Sequence, residues 1–435
     1  MRPKTQAEFQ SGAKKVVSRP FSDLFQRIVL LWELPSRSFW LSIFLYAFFS
    51  WIITQRSLLL PSKVAYFNYL ADAFLYGQLK LRMIPFTTHD LILFNEGYYL
   101  YWPPLPAVIL MPLVAIFGLN CSDVLFNIVV ASLNTYFVAL LLRRAAALEV
   151  INLSGGQRGC LVIFFALGTV HLTLAPYGRV WSTGQLLGFL FLLLAYVMAL
   201  TLQGKKAFVL TGIALAATLL TRTHMLFAGL WPAVYLAYNC GGLTSKRLFQ
   251  GLVLLAAPLA LGCALLGAYN WFRFGSVLDN GLNYHLMAKD FADSFYRHGI
   301  FNLYYVPTNF FYQYVAYPFP LHSKTFHGGS LLLLSPVFLA AFWGIAKGQP
   351  RWSVWALVVS IITVQIPILM LMGTGWVQFG PRYSLDFLLP LLLLTAMGIR
   401  FWPTSVLVIL TIVSLLHFLV GTAHFGVYLI ALDNL

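Results

Sequence analysis

Charge is what this sequence has least of. Only 9% of its 435 residues are Asp, Glu, Lys or Arg, against about 25% in a soluble globular domain. So few charges cannot cover a water-facing surface, which excludes a soluble enzyme or soluble binding module. Acids are scarcest: 13 Asp and Glu stand against 28 Lys and Arg, a net charge of +15. In a membrane chain that excess reads first as the basic bias of cytoplasmic loops, and nucleic acid is excluded as a partner. The four cysteines, Cys121, Cys160, Cys240 and Cys263, form no CxxC pair. That spacing suggests neither a disulfide framework nor a zinc site, and each cysteine reads as a small apolar residue in a helix. HExxH and HxxxH spacings are absent as well, so no metal motif is present. The N-terminal segment carries Lys14, Lys15 and Arg19 but no apolar run followed by a small-residue cleavage site, and does not read as a secretory signal peptide. Low-complexity tracts, internal repeats and a soluble domain are missing too.

What the sequence has in abundance is apolar residues, 60% of the chain, with a mean hydropathy of +0.79. This is an all-α polytopic membrane protein. Runs long enough to cross about 30 Å of hydrocarbon lie near 39–55, 123–142, 159–176, 184–203, 207–221, 225–240, 248–268, 330–346, 353–372, 384–399 and 403–421, about eleven spans. With the N-terminus in the cytoplasm, the inner segments hold 17 of the 28 basic residues against four acids. The inverted arrangement would put the pairs Arg143–Arg144, Lys205–Lys206 and Lys246–Arg247 outside, so the first orientation is favoured. The stretch Leu105–Asn120, "LPAVILMPLVAIFGLN", is apolar but short and carries Pro112. It reads as a helix lying in the outer interface, with a re-entrant helix as the alternative; a true span there would invert everything downstream. One domain of 1–435 results, with a cytoplasmic segment at 1–38 and two large extracytoplasmic loops at 56–122 and 269–329.

Polar chemistry collects on the outer side. "YFNYLADAFLYGQLKL" (Tyr66–Leu81) has helical apolar spacing and a stop at Gly77, which suits an interfacial helix containing Asp72. The following "MIPFTTHDLILFNEGYYLYWPP" has strand composition around a turn at Asn95-Glu96-Gly97, a short hairpin with Asp90 near its start. Aromatics in both outer loops read first as interfacial anchors. A loop this dense in rings also suits a lipid or sugar groove, for which His89, Tyr99, Tyr101, Trp102, Tyr269, Asn270 and Tyr383 are candidates. Four arginines, Arg179, Arg222, Arg273 and Arg382, sit at outer span ends against the charge bias. Snorkelling, or pairing with an acid such as Asp386 or Asp279, would explain them. So would a phosphate clamp, because guanidinium offers a fork of donors to phosphate oxygens. His171 and His417 fall within spans and read as hydrogen-bonded inside the bundle.

The segments "YYLYWPPLPAVILMPLVAIFG", "YNWFRFGSVLDNGLNY" and "WVQFGPRYSLDFLLPLL", with a first span followed by a long outer loop, resemble bacterial membrane glycosyltransferases of the GT-C superfamily. That group includes protein O-mannosyltransferases and aminoarabinose transferases. The resemblance implies transfer of a sugar from a polyprenyl-phosphate carrier, with inversion, to an acceptor hydroxyl of a glycan, lipid or protein. It also implies a bacterial inner membrane and a site facing the periplasm or exterior. Such enzymes use an acid of the first outer loop as base, about fifteen residues before the glycine that ends the interfacial helix. Counting back from Gly77 reaches Ser62, not an acid. Asp90 is the first candidate for the base and Asp72 the second. No cofactor is required if arginines meet the leaving phosphate; a divalent metal is the minor alternative. A lipid or small-solute transporter and a catalytically silent member of the fold are the competing readings.

Overall fold

The structure, a computed structural model, describes residues 20–54, 58–240, 246–287, 289–321, 327–373 and 377–433. The basic residues Arg2, Lys4, Lys14, Lys15 and Arg19, five of the 17 counted for orientation, lie outside the described residues. In hydrocarbon every backbone N–H and C=O must be satisfied within the chain, and helices do this segment by segment. The chain accordingly runs α1 (Pro20–Glu33), α2 (Pro35–Thr54), α3 (Tyr66–Leu75), β1 (Ile92–Phe94), β2 (Gly97–Tyr99), α4 (Leu105–Phe117) and α5 (Asp123–Ala147). It continues α6 (Gly155–Leu167), α7 (Val170–Leu174), α8 (Val180–Thr201), α9 (Gly204–Leu219), α10 (Leu230–Tyr238) and α11 (Lys246–Phe274). The last third holds α12 (Lys289–His298), α13 (Val306–Phe310), β3 (His327–Gly328), α14 (Leu331–Leu334), α15 (Ala340–Lys347), α16 (Arg351–Met370), β4 (Gln378–Phe379), α17 (Leu385–Ile399) and α18 (Thr404–Asp433).

Each of the eleven expected spans falls on helical chain, but they are unequal. Among the described residues seven helical segments are long and apolar enough to cross a membrane, or eight if α1 and α2, bent by 104° at Leu34, act as one. The spans expected at 207–221, 225–240 and 330–346 fall short for local reasons. Helix α9 has 16 residues, about 24 Å at 1.5 Å per residue. The second opens as a 3₁₀ turn at Thr223–Gly229 before α10, and the third breaks at Ser335–Pro336 between α14 and α15. Helix α4, at 13 residues, covers about 20 Å, too short to cross as one span.

Helices α8 and α17 form the core of the bundle. Their apolar windows, like that of the α6–α7 segment, are 83% buried, against 17% for α11. Helices α15 and α17 cross closely because Gly344 and Gly398 lack side chains. A Cβ at Gly398 would stand 1.8 Å from the Ala340 carbonyl oxygen, and one at Gly344 2.0 Å from that of Leu394. Gly398→Ala is therefore expected to force the helices apart, at a cost of about 1–3 kcal/mol. Thermal unfolding of the purified variant checks this; a wild-type midpoint would contradict the close crossing.

The segments between α2 and α5 pack together with those after α11. Helix α3 packs on α4, and Gly77, at φ +68°, ends α3 as its spacing anticipates. The hairpin β1–β2 pairs Phe94 with Gly97. Its two-residue turn has Asn95 and Glu96 at φ +45° and +61°, the type I′ geometry that follows strand twist. A bridge between Ile92 and His285 joins the first outer loop to the second. In the second region α12 is an amphipathic helix, and β3 pairs in parallel with β4, His327 opposite Gln378.

Candidate active site

Asp90 occupies the turn that leads into β1. Its φ of +65° is left-handed, a conformation that costs most residues but that Asp and Asn adopt readily. The turn is held by Tyr66, whose hydroxyl donates to the carbonyls of Thr87 (3.1 Å) and His89 (2.8 Å). The Leu286 amide donates to the Leu91 carbonyl at 2.9 Å, which brings the second outer loop alongside. The Trp181 indole N–H donates to Asp90 Oδ2 at 2.9 Å. On Oδ1 converge His285 Nε2 at 3.4 Å and His89 Nε2 at 3.5 Å. Burial works to raise the Asp90 pKa, but the His285 hydrogen bond, His89 and the Arg382 charge outweigh it and hold the carboxyl below its ordinary value. The side chain keeps 16% of its surface exposed, so the anion remains reachable.

Arg382 lies across Trp181 from this carboxylate. Its guanidinium carbon is 5.6 Å from the Trp181 ring and 5.1 Å from the Tyr383 ring. Among the described residues its one side-chain acceptor is the Tyr383 hydroxyl, at a long 3.5 Å, and its buried Nε has no partner. Arg179, at the N-cap position of α8, has its guanidinium carbon 5.9 Å from the centre of the same Trp181 ring. Tyr101 stacks on Trp102 at 3.8 Å and lies 5.3 Å from the His285 ring. Burial first, then the Asp90 charge, push the Tyr101 hydroxyl pKa well up, and Tyr383, Arg382 and Arg222 act on it too. Asp90, His89, His285, Tyr101, Trp181, Arg382 and Tyr383 therefore share one neighbourhood.

The other arginines are engaged differently. Arg222 donates through Nε to Asp386 Oδ2 at 2.8 Å and reaches the same oxygen through a terminal nitrogen at 2.7 Å. His224 Nε2 adds a contact at 2.7 Å, and the Gln185 amide donates to Oδ1 at 3.1 Å. Asp386 is the acid expected as a pairing partner, and it stands at the start of α17 with no exposed side-chain surface. Arg273 spends its donors on its own chain. Nε donates to the Tyr269 carbonyl (3.2 Å), and the two terminal nitrogens to the Leu100 carbonyl (2.5 Å) and Asn270 Oδ1 (2.8 Å). Arg273, Tyr269 and Asn270 thus pin the end of β2 rather than line the Asp90 neighbourhood, and Tyr99 packs 5.5 Å from Phe274 beside them. Asp72 pairs with Arg82 at 3.2 Å, and Arg82 lies over the Tyr76 ring. It is a surface ion pair on α3, apart from Asp90's partners.

Ser62, where an acid was expected, has one after all by contact. Its amide and hydroxyl donate to the two oxygens of Asp123 at 2.7 and 2.6 Å. Asp123 begins α5 and fits there because Gly178 has no side chain; a Cβ would stand 2.4 Å from its carboxylate. Sequence spacing could not reveal that partner, 61 residues away. Among the described residues no group of three or more His, Cys, Asp or Glu is arranged to hold a metal ion. His171 and His417 bond to tyrosines, His171 to Tyr46 at 3.2 Å and His417 to Tyr317 at 2.9 Å.

No protein-family model and no curated protein matches the chain. Solved structures do. ArnT from Cupriavidus metallidurans bound to undecaprenyl phosphate is 13% identical with a TM-score of 0.48, over 88% of this chain and 61% of that one. The same protein in the apo state gives 14%, a TM-score of 0.46, and 89% and 60% coverage. The apo oligosaccharyltransferase of Archaeoglobus fulgidus gives 13%, 0.44, and 89% and 55%. The chain spans about three fifths of the length of the ArnT structures it matches.

Proposed function

We propose that this integral membrane protein is a glycosyltransferase that moves a sugar from a polyprenyl-phosphate donor to an acceptor hydroxyl, with inversion. The observation that carries the reading is Arg382 beside Asp90, with Trp181 touching both. Arg382 is half-buried, and its Nε is buried with no hydrogen-bond partner among the described residues, which costs free energy. An anionic ligand relieves that cost, and the guanidinium fork suits phosphate oxygens. A carboxylate held ionised, yet partly exposed, next to that cation is what an acceptor hydroxyl needs. In the proposed step the hydroxyl oxygen forms a bond to the anomeric carbon as its proton passes to Asp90. The bond from that carbon to the phosphate oxygen breaks, its electron pair leaves on the phosphate, and Arg382 meets the charge that develops there. One displacement from the opposite face inverts the anomeric centre.

The same reading includes eleven spans, a cytoplasmic N-terminus and a site on the outer face of a bacterial inner membrane, supported by the unequal distribution of basic residues. It routes no step through a metal. Arg382→Ala is expected to weaken binding of polyprenyl phosphate by about 10- to 100-fold, the range for losing hydrogen bonds to a charged group. Equilibrium binding to the protein in lipid nanodiscs measures it, and unchanged affinity would remove the clamp.

The state of Asp90 makes a separate prediction. Transfer that needs its ionised form persists through mild acid and is lost only as the pH falls through the lowered carboxyl pKa. His285→Ala removes the bond that opposes burial, so the acid limb of the pH–rate profile should move to higher pH. A limb that stays in place would mean that another group controls it.

A further inference from the structure

We propose that the cleft next to Arg382 is the subsite for the donor's sugar, and that it takes an uncharged, hydroxyl-rich ring rather than an amino sugar or a uronic acid. This rests on the glycosyltransferase reading and narrows it. The cleft is lined by Asn309, Tyr312, Gln313, His327, Gln378 and Tyr383, with about 270 Å³ of empty space counted to its open mouth. Its floor is tight, so a ring would lie across the mouth and send a hydroxyl inward.

Its place follows from the linkage. Sugar and phosphate share one oxygen, so a ring whose phosphate sits on Arg382 must lie within a bond or two of it. Two lining residues adjoin Arg382: the Tyr383 hydroxyl accepts from its guanidinium at 3.5 Å, and Gln378 Oε1 accepts its backbone N–H at 3.3 Å. The β3–β4 pairing sets His327 across from Gln378, and the Tyr312 ring lies 5.2 Å from His327.

The class of sugar follows from the lining. Asn309 Nδ2 donates to the carbonyls of Leu369 (2.8 Å) and Leu371 (2.7 Å), and Gln313 Nε2 donates to the Tyr314 hydroxyl (3.2 Å). Asn309 thus spends its donors on the chain and Gln313 one of its two, and the amides offer a ligand their carbonyl oxygens, which accept from hydroxyls. Burial lowers the pKa of His327, so it is neutral at neutral pH. No Asp, Glu, Lys or Arg is among the described lining residues. An ammonium or carboxylate on the ring would lose its water here without gaining a counter-charge.

Synthetic polyprenyl-phosphate donors carrying a neutral hexose, an amino sugar or a uronic acid would be compared by kcat/KM on the full chain in nanodiscs. The neutral donor should exceed each charged one by about tenfold or more, since a site with no group for the extra charge rejects it. Gln313→Glu should narrow or reverse the gap for the amino sugar, with polyprenyl-phosphate binding retained as the check on folding. A charged donor used as well as the neutral one, or a ratio unmoved by Gln313→Glu, overturns the subsite and leaves the transferase reading standing. Turnover of none of the three donors overturns both.

Discussion

Asp90→Asn is expected to lower the turnover of sugar transfer by about 100- to 10,000-fold, the usual contribution of a positioned general base. The substitution is chosen so that little else changes. Asn tolerates the left-handed backbone that Asp90 adopts at φ +65°, where Ala would add strain. The amide oxygen can still accept the Trp181 indole N–H that now meets Oδ2 at 2.9 Å. What is lost is the negative charge and the capacity to take a proton. Binding of polyprenyl phosphate should stay within a few-fold of wild type, because the phosphate is assigned to Arg382. If the variant turns over at the wild-type rate, Asp90 is not the base.

The second large effect is on stability. Asp386→Ala would strip the buried Arg222 guanidinium of the carboxylate that it meets at 2.7 and 2.8 Å, and leave His224 and Gln185 without their shared acceptor. Removing one partner of a buried pair costs about 3–5 kcal/mol. The starts of α8 and α17 and the turn after α9 should loosen together, seen as a lowered unfolding midpoint in detergent. Replacing both members, Asp386→Leu with Arg222→Met, should recover much of the loss, because no uncompensated charge then remains buried. A single variant that melts with the wild type would show that Arg222 finds another partner or water.

The membrane architecture could be read from the chain because hydrocarbon allows few alternatives. Apolar runs must be helical, and basic pairs such as Lys205–Lys206 mark the side where they stop. Length was the least legible property. The runs at 225–240 and 330–346 are apolar enough, yet the chain after Arg222 starts as 3₁₀ turns and Pro336 follows a break. Hydropathy does not register either event. The hairpin was legible down to its turn, because residues 95–97 encode the geometry locally.

The candidate site was half legible for a related reason. Asp90, Tyr101, Arg222, Arg382 and Tyr383 stood out as polar or aromatic residues in outer segments of an apolar chain. Their partners did not, because the contacts are long-range. Trp181 is 91 residues from Asp90, and Asp386 is 164 from Arg222. Asp72 had the same credentials as Asp90, but Arg82, ten residues on, takes its carboxylate at the surface. Arg273 looked as eligible for a clamp as Arg382. The difference is that backbone carbonyls and Asn270 surround the one, while the other is left with aromatic faces and a single long bond to Tyr383.

The central claim is that Asp90 and Arg382 together transfer a sugar from a lipid phosphate. It is tested most directly by following a labelled sugar from a synthetic polyprenyl-phosphate donor on the purified full chain in nanodiscs, with wild type, Asp90→Asn and Arg382→Ala side by side. The account predicts release of free polyprenyl phosphate and an inverted product from the wild type alone, with both variants slower by at least about 100-fold. Equal transfer by all three proteins, or none by the wild type with any donor, would contradict it.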